Sequence, residues 1–138
     1  REVIQAGSNS SSSGISFNMG TSFFENNFNR PFYAGFGVLS ANNSITILFN
    51  DHKKNDDVLQ LGQKVKRVSY FGRSKCYGIK LDPLTGNYTR SVLFSNSDVP
   101  TAMPRLGSAM GNDLYIIGKE DRILGKTKIA IAKVSVQH

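Results

Sequence analysis

The sequence lacks tryptophan, holds one cysteine and two histidines, and contains no apolar run approaching the roughly 18 residues that a membrane-spanning helix needs. With Cys76 alone, no disulfide can close within the chain. The redox compartment stays open, because envelope and secreted proteins can also do without disulfides. A nucleophilic thiol needs a base. Only His52 and His138 could serve, and His138 is the last residue. A buried structural thiol is therefore expected at Cys76. Glutamate is equally scarce: Glu2, Glu25 and Glu120 are the only three, and none has a neighbourhood that suggests the two acids glycoside hydrolysis places across a sugar. No phosphate-cradling glycine loop, serine elbow or Cys/His zinc spacing occurs. The acids and histidine at Asp51, His52, Asp56 and Asp57 match no calcium loop, and Lys53 and Lys54 beside them repel a cation. These absences predict no catalytic residue, no metal and no cofactor. They lean against an enzyme without deciding the matter.

What is present suits one soluble globular domain. The 138 residues are 39% hydrophobic and 20% charged, enough apolar material to bury a core. Thirteen Gly, nine Phe and five Tyr favour strands and turns over helices. The formal charge is +7, and its excess is local. Between positions 53 and 90 lie nine cations (Lys53, Lys54, Lys64, Lys66, Arg67, Arg73, Lys75, Lys80 and Arg90) against Asp56, Asp57 and Asp82, so nine minus three leaves +6 in that stretch. Such a field attracts an anionic glycan, a phosphate or an acidic protein surface. Nucleic acid is not expected, because no nucleic-acid signature accompanies Tyr70, Phe71 and Tyr77 in the stretch. The chain begins at Arg1 without an initiator Met or signal peptide, which reads as a processed product or fragment.

Along the chain, 8–13 is a serine-rich loop, followed by a Phe- and Asn-rich segment with Phe17, Phe23, Phe24, Phe28, Phe32 and Phe36. Gly20, Pro31, Gly35 and Gly37 predict strands and turns there, with rings filling a core. The strongest strand covers 44–50, after the Asn42-Asn43 turn. Residues 58–68 carry Val58, Leu61, Val65 and Val68 at helical spacing, but Gly62 and the β-branched valines favour an extended basic loop leading into a strand at 67–71. Residues 76–94 form a hairpin around Asp82-Pro83-Leu84-Thr85-Gly86-Asn87. Further strands are expected at 105–110, 114–117 and 127–136. In the last, the apolar phase shifts between Ile129/Ile131 and Val134/Val136, which predicts a bulge or burial on both faces.

Two segments echo each other. Asn43-Ser44-Ile45-Thr46-Ile47-Leu48 aligns with Asn112-Asp113-Leu114-Tyr115-Ile116-Ile117. A small-residue strand precedes each (34–41 and 106–111), and a Lys-led strand follows each (75–81 and 128–134). Repetition of a β-meander is the mark of radial β-architectures. Residues 111–136, with a Gly-Asn-Asp turn, an apolar strand and a Lys-Thr-Lys-led strand, resemble the C-terminal blade of kelch-like β-propellers. Residues 44–55 resemble a strand and loop of propeller-type bacterial envelope proteins. The kelch double glycine and the sialidase Asp box are absent.

The expected fold is all-β, with seven or eight short antiparallel strands forming about two propeller-like blades. A single β-sandwich or partly open barrel is the alternative. The chain is one all-β unit, 1–138, divided into a Ser/Phe/Asn-rich segment (1–32), a first blade-like unit (33–94) and a final one (105–138). The resemblance implies a non-catalytic binding or scaffolding module of a larger envelope or secreted assembly, in the periplasm, at the cell surface or outside the cell. Its partners would be protein segments or subunits that complete the β-architecture. The alternatives are a fragment of a glycan-active propeller enzyme and a polyanion binder acting through 53–90. A ligand site is expected where the best strand ends, at Asp51, His52 and Asn55, with Arg67 and Arg73 from the basic stretch.

Overall fold

A computed structural model describes residues 30–56, 62–120 and 126–135. Two antiparallel sheets account for most of them. The first is a meander of β1 (Phe36–Ala41), β2 (Ser44–Asp51), β3 (Lys75–Leu81) and β4 (Tyr88–Ser95), in that order across the sheet. The second is centred on β7 (Asp113–Glu120). On one side of it, β5 (Thr101–Ala102) and β6 (Ser108–Met110) pair end to end, and on the other lies β8 (Lys128–Ser135). A single five-residue helix, α1 (Arg30–Ala34), precedes β1.

Local chemistry accounts for the turns. Asn42 and Asn43 both adopt positive φ, 51° and 54°, so that Ala41 faces Ser44 in a two-residue hairpin whose twist matches the strands. At the β3–β4 turn, Asp82 accepts hydrogen bonds from the Leu84 and Thr85 amides and the Thr85 hydroxyl, while Gly86 takes φ 74°. The β6–β7 turn uses Gly111 at φ 62°.

The inner faces of the two sheets meet in one core. Leu39, Leu48 and Cys76 from the first sheet pack with Ala102, Leu114 and Ile116 from the second, flanked by Phe94 and Val134. Contact is close at Gly37, where a β-carbon would sit 2.7 Å from the Pro104 carbonyl oxygen. The crossover between the sheets is held by amides. Asn50 donates to the carbonyls of Tyr33 and Ala102 at 3.0 and 2.7 Å, and accepts from Asn96 at 2.8 Å. Asn96 also accepts from the Ala102 amide. Asn50, Asn96 and Ala102 are all buried, so each of these bonds satisfies a group that water cannot reach.

The outer faces are apolar too. On the first sheet, Ile47, Phe49, Tyr77 and Ile79 cluster on the side facing away from the second sheet, and Phe36 and Val38 extend that row, 59% and 46% exposed. On the second sheet, Ile117 pairs with Ile131 on the side away from the core, and Ile129 and Ile131 are 70% and 71% exposed.

Several expectations are corrected. Residues 67–71 form no strand; 62–70 are irregular and Phe71–Arg73 is a 3-10 turn. Pro31 does not prevent a helix, because it falls in the first turn of α1, where no amide donor is needed. Phe36 lies at the surface rather than in the core. The 105–110 strand is shorter than expected: Pro104–Leu106 is a 3-10 turn and only Ser108–Met110 pairs. β8 runs against β7 without a register break over Lys128–Ser135, so Ile129 and Ile131 lie on the outer, exposed face and Val134 on the core face, while Val136 lies outside the described residues. The register shift instead falls opposite Cys76 and Tyr77, where β4 carries one extra residue. Residues 17–29 and 57–61 lie outside the described residues, and with them most of the Phe-rich segment and the start of the 58–68 stretch.

Candidate functional site

β2 ends at Asp51, and the chain turns at once into a 3-10 turn, Lys53–Asn55. His52 caps that turn: its Nδ1 accepts from the Lys54 amide at 3.0 Å. Asp51 Oδ1 accepts from the His52 amide and from Asn55 Nδ2, both at 2.7 Å. Asn55 is buried, and its side-chain amide brackets Lys66, donating to the Lys66 carbonyl and accepting from the Lys66 amide, each at 2.8 Å. This two-point bond mimics a strand partner. It clamps the segment around Lys66 against the turn at the end of β2.

Arg90 closes the site from β4. Its side chain crosses the outer face of β3, with the guanidinium carbon 4.3 Å from the centre of the Tyr77 ring and 5.7 Å from that of Phe49. Nη1 donates to the Asn55 carbonyl at 2.8 Å, and Nη2 donates to Asp51 Oδ2 at 2.9 Å. The pair is nearly dry, with side-chain exposures of 14% and 11%. Planar guanidinium suits this position, since it stacks and forks at once. Arg90 Nε is buried without a partner.

Beside this brace, the Tyr77 hydroxyl donates to Asp56, and Lys75 Nζ reaches the other Asp56 oxygen at 2.7 Å. Burial pushes the Asp56 carboxyl up, but hydrogen bonds from Lys75 and Tyr77, helped by the charges of Lys75 and Arg90, outweigh it and hold the group below its usual range. Burial first, then the bond to Asp56, pushes the Tyr77 phenol up. Asp56, Tyr77, Tyr88, Arg90, Ser91 and Val92 line a hollow of about 420 Å³ on this face. Its carboxylate and guanidinium are each ion-paired, with Arg90 Nε left unpartnered, and the other walls are largely aromatic and apolar.

Of the five residues singled out in the sequence, Asp51, His52 and Asn55 form one hydrogen-bonded unit. Arg67 and Arg73 are exposed on the following segment. Arg73 lies 5.8 Å over the Tyr70 ring. Arg67 faces Arg30, whose guanidinium is pushed down by burial and then by the Arg67 charge. The cation that reaches Asp51 is Arg90. Sequence reasoning had counted Arg90 only as part of a basic stretch, although an arginine in the outward row Tyr88, Arg90, Val92 of an apolar strand was the available signal. Tyr77, Asp56 and Lys75 were missed as well, because the register that unites them is not local.

The arrangement braces the end of the first sheet. Burial pushes the Cys76 thiol up to about 12, which keeps it protonated at neutral pH. The His52 Nδ1 lone pair is occupied in the cap. Among the described residues, no group of three or more His, Cys, Asp and Glu side chains is placed to hold a metal ion, and no helix is long and apolar enough to cross a membrane. No protein-family model, curated protein or solved structure matches this chain.

Proposed function

We propose that this chain is a non-catalytic, β-propeller-like binding and scaffolding module of a larger envelope or secreted assembly. The observation that carries the reading is that each sheet bears exposed apolar side chains on the face turned away from the shared core. A free-standing two-sheet sandwich needs one apolar face per sheet and leaves the other to water. Here Phe36 and Val38 stand exposed on the outer face of the first sheet, beside the cluster of Ile47, Phe49, Tyr77 and Ile79 that Arg90 already covers in part, and Ile117, Ile129 and Ile131 stand exposed on that of the second. Sheets built this way suit a stack in which each is covered on both sides. The connectivity supports the same reading: four strands complete one sheet in chain order before the chain crosses into the next. Both blade-like units also use the same meander, β1-β2-β3 and β6-β7-β8. The partners in this reading are protein segments or subunits that cover the outer faces. The envelope or secreted location follows from the resemblance to propeller-type envelope proteins.

The test is to change Ile129 and Ile131 together to lysine. The unmodified chain should bind a hydrophobic dye and self-associate with rising concentration. The Ile129→Lys/Ile131→Lys variant should lose both properties while keeping its circular dichroism spectrum. An unmodified chain that stays monomeric and dye-silent up to about millimolar concentration refutes the reading, since stable monomers rarely expose such contiguous patches.

A further inference from the structure

We propose that the rim at the β2–β3 end of the first sheet, formed by Lys53, Lys54, Lys64, Lys66 and Arg73, is a docking surface for an anionic polysaccharide. This inference goes beyond the scaffold reading and stands on the loop geometry alone, whatever number of sheets the full assembly holds. All five side chains are exposed. They come from segments separated in sequence: the Asn55 bracket on the Lys66 backbone joins the Lys53–Asn55 turn to 64–66, and the Asp51↔Lys75 register puts Arg73 at the same end of the sheet. The bracket is anchored in turn by Asp51 and Arg90, so the cations stand on a rigid base.

The described acids of the rim segments are paired, while Asp98, just past β4 at the same end of the sheet, stays exposed. Asp51 is consumed inside by Arg90 and Asn55. Asp56 is consumed by Lys75 and Tyr77. Those two acids, the described carboxylates of the rim segments, are therefore spent on Lys75 and Arg90 rather than on the rim lysines, and positive charge is left facing outward. A field of this sign concentrates a polyanion and gains from counterion release.

The aromatic residues decide between polyanions. Single-stranded nucleic acid is held by bases stacked on open rings. Phe71 and Tyr77 are each only 1% exposed. The Tyr70 ring lies against Gly72, where a β-carbon would come within 2.9 Å of it, and Arg73 covers it. The rim thus offers cations without stacking platforms. That suits sulfate or carboxylate groups carried on a sugar chain, which ion pairs alone can hold.

The test uses the full chain with dextran sulfate, and with neutral dextran and oligo(dT) as comparators, titrated at several salt concentrations. Dextran sulfate should bind, with affinity falling steeply as salt rises. Lys53→Gln/Lys54→Gln and Lys64→Gln/Lys66→Gln should each lower the log–log salt slope by about 1.4 and weaken binding about tenfold at 0.15 M salt, from roughly 0.7 per contact on a flexible strand. Lys80→Gln/Lys133→Gln, which removes the same charge from β3 and β8, should change binding less than threefold. Circular dichroism should be the same for all variants. An equal loss in Lys80→Gln/Lys133→Gln overturns the proposal, because binding would then follow net charge. Tighter binding of oligo(dT), equal binding of neutral dextran, or no binding of dextran sulfate overturns it too.

Discussion

Arg90 is the residue whose removal tests the reasoning most directly. Its guanidinium and the Asp51 carboxylate are 86% and 89% shielded, from the 14% and 11% exposures. Removing one partner of a buried pair costs about 3–5 kcal/mol, most of it for the charge left behind. Asp51 would keep its bonds from the His52 amide and Asn55, and some water reaches the pair, so about 2–3 kcal/mol is expected for that part. Loss of the cation from the face of Tyr77 adds about 1 kcal/mol. Arg90→Met, which keeps an apolar stem over the ring, should therefore lose about 3–4 kcal/mol. Asp51→Asn should lose about 2–3 kcal/mol, because it leaves the guanidinium unpaired. In Asp51→Asn/Arg90→Met no charge is stranded, so the double variant should cost less than Arg90→Met alone, about 2 kcal/mol, a coupling of about 3 kcal/mol or more. Urea unfolding followed by far-ultraviolet circular dichroism reads this out, since the chain has no tryptophan. Single variants that each lose under about 1 kcal/mol, or losses that simply add, would refute the brace.

Asn50→Leu should destabilise by about 3 kcal/mol or more, as it strands the Tyr33 and Ala102 carbonyls and Asn96 in the core; thermal unfolding would reveal a loss below about 1 kcal/mol and contradict the role given to the crossover amides. Cys76 and Tyr77 both have raised folded values, so their contribution is complete below the unfolded values of 9.0 and 10.0 and is lost as pH climbs through the folded ones. Stability should therefore fall above about pH 9, and Cys76→Ala should flatten part of that slope at a cost of about 1 kcal/mol near neutrality, measured by urea midpoints between pH 7 and 11. The acid side has the opposite sign. Asp56 lies below its ordinary value, so its contribution is present above about pH 4 and disappears as pH falls through the folded value, a loss that Asp56→Asn should remove from the acid limb of the same titration.

Much of the architecture could be read from local pattern. The hairpin at 76–94 was legible because Asp82 to Asn87 states its own turn chemistry, and the strand after Asn42-Asn43 because two asparagines tolerate positive φ. The loop after β2 was legible as a structured turn through Asp51, His52 and Asn55, whose bonds span one to four positions. The stretch at 67–71 misled because alternation of Val68 and Tyr70 imitates a strand. What decides there is a packing site: Val68 and Phe71 are drawn into a cluster with Tyr33 and Met103, and Phe71 stacks on Tyr33.

Turn chemistry and alternation lie within a few residues of each other, and the sequence by itself determined them: short antiparallel strands, their hairpins and a basic segment between the second and third. Tertiary structure alone decided that Asp51 meets Arg90 thirty-nine positions away, that Asn50 meets Asn96 forty-six away, and that Asn55 holds Lys66 in place. Those meetings depend on register and on which face each strand turns toward its neighbour sheet. A bulge of one residue in β4 resets both, and hydrophobic periodicity carries no term for it.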